Sequence, residues 1–371
     1  MHILSIGYAH SSGYDDPDEW LERIGFYTGI LQSLARNNVV SSIEQINYNG
    51  KLNRDGVMYH FVNSAEHTFN ATTMLNRYAK ELQPDVILVN GLIFPMQVIQ
   101  LRWMLGKGPS IFILHRAEKP STGIRKRMQA LADRFVDGYF FISKEMAEPW
   151  LNHRIIGSDK KIVEVVDASS VFKMCDKASC RELTGAIGDP VYLWVGRLER
   201  NKDPLTVVNG FLRFVKSYPR AKLYMIYQDE GLLSEVRNIV NRNEMGSESV
   251  VLLGRKDKRE LELWYNSADF LISGSHYEGS GIAVIESMSC GCIPVLTNID
   301  SFRKLTGDGT CGIHYEKGNI ESLESALLNT ASMDRDIESR KVLERFEREF
   351  SFDAIANKIE ATITVTKVTT D

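Results

Sequence analysis

LISGSHYEGSGIAVIESMSCGCIP, residues 271–294 of the 371-residue chain, runs from strand to loop to helix. Phe270, Leu271 and Ile272 are a short apolar run of the kind that forms a buried strand. The Ser/Gly segment after them is a loop, and a helix is expected from Ile282 to Cys290, closed by Gly291. Glu278 stands in the loop at the helix entrance. Glu286 comes eight positions later, so helical rotation of about 100° per residue puts it two turns in on roughly the same face. Gly279 and Gly281 strip side chains from the entrance, and Ser280 between them is small. Backbone N–H groups around Gly279–Gly281 can therefore approach a ligand, and a helix N-terminus favours phosphate or other electron-rich oxygens. Two carboxylates beside it suit polyol hydroxyls. Phosphate and sugar hydroxyls together point to a nucleotide sugar.

A dinucleotide fingerprint is the rival for this stretch. Gly279-Ser280-Gly281 supplies its first two glycines and Asp300 lies at a tolerable distance, but Val284 stands where the third glycine is needed. That fingerprint also has no use for the flanking glutamates. An isolated Glu286 would be an ordinary surface carboxylate; the pair with the glycines argues otherwise.

Working outward, the preceding units repeat the strand–loop–helix pattern. Strand 191–195 leads to Gly196-Arg197-Leu198 and on to Lys202, with Asp203 as N-cap and Pro204 as first helical residue. Leu205, Val208, Leu212 and Val215 are expected to form that helix's buried face. Arg197 and Lys202 in such a loop can neutralise a diphosphate, Arg by bidentate contact and Lys as a point charge. Strands 222–226 and 250–253 follow. Asp257 and Glu260 have capping-box spacing, and a helix is expected at 320–328.

The first half alternates in the same way. Strand 3–7 opens into a polar loop, and one helix is expected from Trp20 to Ala35, with Leu21, Ile24, Tyr27, Leu31 and Leu34 inward. Asp16-Pro17-Asp18 matches a two-residue metal motif but is frequent by chance and is read as a loop. Strands are expected within 41–62, a helix over 71–82, and buried strands at 86–90, 110–114 and 138–142. Strand 110–114 delivers His115 at its C-terminal end, where residues of such sheets face a ligand. Arg125, Lys126, Arg127 and Arg134 lie in a helical pattern, either a solvated basic face or a contact for anionic lipid or a phosphorylated acceptor. Residues 163–190 are of mixed polarity, and the interdomain linker is placed there. The end of the chain, 345–363, is helical and amphipathic.

Composition agrees with two α/β domains: 43% hydrophobic and 25% charged residues. A net charge of −4 argues against a general nucleic-acid binder. No apolar run spans a bilayer, and the N-terminus lacks the pattern of a secretory signal. Five cysteines without zinc-type partners suggest reduced thiols and a cytoplasmic protein; Cys290-Gly291-Cys292 is read as packing beside a tight turn.

Taken together, Gly-Arg-Leu-x-x-x-Lys at 196–202, the glutamates at 278 and 286 with seven residues between them, and Cys-Gly-x-x-Pro-Val at 290–295 resemble glycosyltransferase family 4. The likeness is strongest over 191–328. In the first half it is carried by Pro-Asp-Val at 84–86, His115, Asp-Gly…Ser at 137–143, and Phe350-Ser351-Phe352 near the end. The resemblance implies a GT-B architecture, with two Rossmann-like domains, 1–175 and 186–350, facing across a cleft and a C-terminal helix at 351–371 crossing back. It implies a retaining transferase that needs no metal ion and no cofactor beyond the nucleotide-sugar donor. Arg197 and Lys202 would hold the diphosphate, Glu286 the ribose hydroxyls, Glu278 the transferred sugar, and His115 the sugar near its anomeric centre. Gly279, Ser280, Gly281 and Ile282 would line the donor. The acceptor would be a saccharide or lipid-linked, in assembly of a cell-surface polysaccharide or glycoconjugate; peripheral membrane contact through Arg125, Lys126 and Arg127 is the expectation drawn from the basic run itself. The family's Gly-Gly pair after the first strand is replaced by His10-Ser-Ser-Gly13, leaving Gly13 as the donor-side position there. Ser280 replaces a commonly aromatic residue, and Val166-Asp-Ala-Ser-Ser replaces a Pro-Asn-Gly stretch. A nucleotide-sugar epimerase or hydrolase on the same fold, or a non-catalytic nucleotide-sugar binder, are the alternatives.

Overall fold

The structure, a computed structural model, describes residues 1–64 and 71–370. Contacts divide the chain into two units: Met1–Ser169 with the C-terminal segment from Ser351, and Ser170–Phe350.

The first unit is built on strands β1 (His2–Gly7), β2 (Val39–Glu44), β3 (Gly50–Arg54), β4 (Val57–Phe61), β5 (Val86–Asn90), β6 (Ser110–Leu114), β7 (Gly138–Phe141) and β8 (Ile162–Glu164). Their order in the sheet is β3-β4-β2-β1-β5-β6-β7-β8. Neighbours pair in parallel except in the β3–β4 hairpin, which turns on Asp55-Gly56, both at positive φ as a tight hairpin demands. Helices between parallel strands cover both faces, so β5 and β6 are almost entirely apolar and buried. The expected helix 20–35 is two helices, Pro17–Arg23 and Gly25–Leu34, broken at Ile24 where the poor helix former Gly25 follows. Leu21, Tyr27, Ile30, Leu31 and Leu34 are buried. Asp16 accepts from the Asp18 amide at 2.8 Å, so the two-acid motif is a helix cap.

In the second unit strands β9 (Val191–Val195), β10 (Lys222–Ile226), β11 (Val250–Gly254), β12 (Phe270–Ser273), β13 (Ile293–Thr297) and β14 (Ile313–Tyr315) lie in the order β11-β10-β9-β12-β13-β14, all parallel. This is the doubly wound order, and it reverses between β9 and β12. Helix Pro204–Phe214 buries Val207, Val208, Phe211, Leu212 and Phe214, a wider face than its sequence spacing suggested, because helix Ile320–Thr330 covers its other side. Tyr192 stacks on Phe270 with ring centroids 5.1 Å apart, joining β9 to β12 beneath the switch point. The Asp257–Glu260 capping box is formed.

The stretch 163–190 holds more structure than its polarity suggested: β8 and a helix, Lys177–Thr184. That helix packs on helix Lys258–Ser267, and Lys177 and Arg181 each reach the buried Asp269 at 2.8 Å. These contacts put the division of the chain at 169–170 and leave 170–185 with the second unit. At the other end, helix Arg335–Glu349 stops at Phe350, and a separate helix, Phe352–Thr370, packs on helix Gly25–Leu34. Asp353 accepts from Ser33 at 2.7 Å and from Arg36 at 2.8 Å.

Candidate functional site

At a topological switch point the loops following two neighbouring strands diverge to opposite faces, and a crevice opens above them. The loops after β9 and β12 occupy that place in the second unit. They are stitched together by backbone. His276 N–H donates to the Asn201 carbonyl at 2.8 Å, and the Asn201 side-chain amide donates to the Tyr277 carbonyl at 2.9 Å. Gly274 allows the approach: a Cβ there would lie 2.9 Å from the Asp203 carbonyl oxygen and 3.0 Å from that of Lys202. Asp203 sits in the left-handed region at φ 41° and bonds in two directions. One carboxylate oxygen accepts from the Thr206 amide at 3.2 Å, capping helix Pro204–Phe214; the other meets His276 Nε2 at 3.0 Å.

This stitching brings Lys202 and Glu278 together, with the Lys202 ammonium donating to a Glu278 carboxylate oxygen. The Ser275 hydroxyl donates to the same oxygen at 2.6 Å. Both side chains are largely buried, at 22% and 15% exposure, which strengthens the pairing relative to a surface ion pair. Arg197, at the start of the β9 loop, is 57% exposed and pairs with Glu199 at 3.1 Å.

Gly281, left-handed at φ 61°, turns the chain into helix Ile282–Ser289. A left-handed N-cap without a side chain leaves the first turn with no side-chain cap; the Val284 amide turns back to the Gly281 carbonyl at 2.8 Å, so the amides of Ile282 and Ala283 are the ones that can meet an anion. The helix begins four residues after Glu278, so Glu286 lies little more than one turn in. The two-turn spacing expected from the sequence is thus corrected: half of the eight-residue interval is loop. Glu286 accepts from the Tyr265 hydroxyl at 3.0 Å. Burial and then the Glu286 charge push the Tyr265 phenol well above its ordinary value, so it remains a donor. Val284, at the third-glycine position of the dinucleotide fingerprint, is 2% exposed in the core, and Asp300 pairs with Arg303.

Gly13 and His115 belong to the first unit. Gly13 is exposed in the turn after β1, with open space where a Cβ would stand. His115 is buried against Phe141, ring centroids 4.4 Å apart, and Trp150, 6.0 Å. Its Nε2 lies 2.9 Å from the Glu118 carbonyl oxygen, which can only accept, so Nε2 carries the proton. Nδ1 is then the bare acceptor, and it is buried without a hydrogen-bond partner among the described residues. Burial lowers the His115 pKa, against the opposing pull of Glu118 and Asp167, so the ring is neutral near pH 7. Glu118 ties the turn by accepting from the Arg116 amide at 2.7 Å and the Leu92 amide at 3.0 Å, while Ala117 takes φ 70°. The Arg116 guanidinium bonds Asn90 at 3.0 Å and Asp167 at 3.1 Å. Sequence reasoning passed over Asn201, His276 and Tyr265, whose partners lie on other elements, and Ser275 and Glu118, whose bonds depend on how their own loops turn.

Among the described residues no cluster of three His, Cys, Asp or Glu side chains is placed to hold a metal ion. All five cysteines are free; burial raises the Cys290 and Cys292 thiols, and Cys311 to about 11. No helix of the described residues is long and apolar enough to cross a membrane.

Residues 181–349 match the family model for glycosyl transferases group 1. That span contains every site residue of the second unit. Sucrose synthase 5 of Arabidopsis thaliana is 25% identical over 216 residues, 54% of this chain and 24% of that protein. The poly(glycerol-phosphate) alpha-glucosyltransferase of Bacillus subtilis is 31% identical over 136 residues, 36% of this chain and 20% of its own. The matches thus span a quarter or less of these relatives. Among solved structures, Anabaena Alr3699/HepE in complex with UDP superimposes with a TM-score of 0.75 over 98% of this chain and 100% of that one, at 14% identity. Likeness at that identity shows the fold, which is GT-B with two Rossmann-like α/β domains.

Proposed function

We propose that the protein is a retaining glycosyltransferase that moves a sugar from a nucleoside-diphosphate sugar to a saccharide or lipid-linked acceptor, in assembly of a cell-surface polysaccharide or glycoconjugate. The observation that carries this reading is the Lys202–Glu278 pair beside an uncapped helix N-terminus at the switch point. A cation, free N–H groups and a sugar-binding carboxylate within one loop pair fit a diphosphate sugar better than a bare nucleotide. Lys202 and Arg197 stabilise the departing diphosphate by preorganised charge, and no metal ion is needed for that step. Glu278 orients the transferred sugar, and Glu286, held by Tyr265, receives the ribose hydroxyls. Ser280 and Ile282 line the donor between them. In the first unit, His115 contacts the sugar and Gly13 lies on the phosphate side. The proton of the acceptor hydroxyl passes to the leaving diphosphate on the same face, so configuration is kept.

The test is nucleoside-diphosphate release from a panel of UDP-, GDP- and ADP-sugars in chelator, with a saccharide acceptor mixture and with Glu278→Ala as control. Release from one donor, dependent on acceptor and lost in the variant, supports transfer. Acceptor-independent release indicates a hydrolase, and a product isomeric with the donor sugar an epimerase. Tight binding of nucleotide with no turnover on any acceptor marks a binding protein.

A further inference from the structure

Helices Pro95–Leu105 and Gly123–Ala132 of the first unit follow β5 and β6. Strands β5, β6 and β7 are consecutive neighbours in a parallel sheet, so right-handed crossovers set both helices side by side, pointing the same way, on one face. They pack against each other. On the first, Met96 and Trp103 are seven residues apart and so share a face within about 20° of rotation. On the second, Ile124 and Leu131 have the same spacing. All four are exposed: Trp103 at 75%, Ile124 at 72%, Met96 at 56% and Leu131 at 40%. Scattered surface apolar residues need no explanation, but two paired stripes on adjoining helices make a patch.

The charge around this patch is one-sided. From Pro95 to Ala132 the sequence has seven Lys and Arg residues and a single acid, Glu118, in a chain whose net charge is −4. Glu118 is turned inward to the Leu92 and Arg116 amides. Arg125 and Arg127 project from the second helix, with Lys107 and Lys119 in the flanking loops and Arg134 just beyond. Large apolar side chains interleaved with cations fit the interfacial zone of an anionic bilayer, where the apolar groups enter the acyl boundary and the cations meet phosphates. A nucleic acid would match the cations but not the aliphatic members of the patch.

We infer that this two-helix face docks the protein on anionic membrane, with Trp103 and Ile124 as inserted anchors and Arg125, Lys126 and Arg127 as the headgroup contacts. The inference extends the proposed lipid-linked acceptor but stands on its own observations, and it is tested without turnover. Of five tryptophans, Trp150, Trp194 and Trp264 are buried and Trp20 is bonded to Glu44, so Trp103 dominates the solvent-sensitive emission.

The full-length protein is sedimented with phosphatidylcholine vesicles, with and without about one third phosphatidylglycerol, while its emission is recorded. Binding is expected only to the anionic vesicles, with a blue shift that Trp103→Phe abolishes without loss of binding. Charge reversal at Arg125, Lys126 and Arg127 should weaken binding by about a hundredfold. Trp103→Ser with Ile124→Ser, both at exposed positions, should weaken it by about tenfold with unchanged circular dichroism. No binding by the wild type, or binding without a blue shift that ignores the serine variant, overturns the docking face. A wild type that turns over a donor sugar yet ignores vesicles defeats this inference alone.

Discussion

Lys202 and Glu278 neutralise each other directly across the β9 and β12 loops, one assigned to the phosphates and the other to the transferred sugar. On the proposed function, a donor entering the site would exchange partners on Lys202, and the pair would keep both side chains positioned until it does. Replacing Lys202 by Ala removes a charge-assisted bond of about 1.5–3 kcal/mol and leaves Glu278 facing the phosphates unshielded. Affinity for the nucleoside diphosphate is expected to fall by tenfold or more, about 1.4 kcal/mol per decade, and that for the nucleoside hardly at all. Isothermal titration of both ligands checks this; equal weakening of the two would remove Lys202 from the phosphate side.

The same pair makes a contrasting forecast for Glu278. Truncation to Ala frees Lys202 and removes a negative charge from beside the phosphates, so nucleoside-diphosphate binding should be unchanged or tighter. Transfer should drop by at least about a hundredfold, as when a group that positions the reacting centre is lost. A variant that loses binding and turnover in parallel would show Glu278 to be a structural strut for Lys202. Glu278→Gln, which keeps the Ser275 bond, separates charge from shape.

Gly274 lies tight against the backbone of Lys202 and Asp203, and its replacement tests whether the stitching matters. A Cβ there would meet the Asp203 and Lys202 carbonyl oxygens at 2.9 and 3.0 Å and the branched Val207 side chain at 2.9 Å, so Gly274→Ala is expected to push the loops apart. A cost of roughly 1–3 kcal/mol to the stability of the second unit is expected. Donor affinity should fall alongside it although no ligand-facing atom has changed. Denaturation followed by Trp194 and Trp264, together with nucleotide titration, reads both effects. An unaltered melting curve would mean that the loops yield freely.

The strand–loop–helix succession was legible because most parallel strands are largely apolar runs and some of the following helices start with a recognisable cap, as at Asp203 and Asp257. The second unit's candidate site residues could be singled out in the sequence because they fall in two short loops and the helix that follows one of them. Three things were not legible. The break at Ile24 and the stop at Phe350 interrupt helical periodicities that continue on either side, so pattern alone joins them. Helix Lys177–Thr184 is short and of mixed polarity, and its packing on helix Lys258–Ser267 and its ion pairs with Asp269 show where it belongs. The supports of the site, Asn201 to Tyr277 and Asp203 to His276, link positions more than seventy residues apart, and a single sequence contains no record of which loops will meet.

Two histidines of the first unit make its stability sensitive to acid. Burial lowers the pKa of His115, and burial aided by Lys51 brings that of His60 to about 4. His60 Nδ1 is held by the Tyr78 hydroxyl at 2.6 Å, and its Nε2 is buried with no partner among the described residues. Both folded-state values lie below the ordinary histidine pKa of about 6.5. Under acid the unfolded chain therefore binds more protons than the folded one, and unfolding free energy increases with pH. The stabilisation is complete above about pH 6.5 and is lost as the pH falls toward the folded-state values. Amide exchange in peptides covering β4 and β6 should accelerate, beyond its intrinsic pH dependence, between pH 7 and pH 5. His60→Gln, which keeps a polar group near Tyr78 without a titrating one, should flatten that response in β4 and leave β6 sensitive through His115. Equal pH sensitivity of β4 in the variant and the wild type would show that protonation of His60 is not what loosens this part of the sheet.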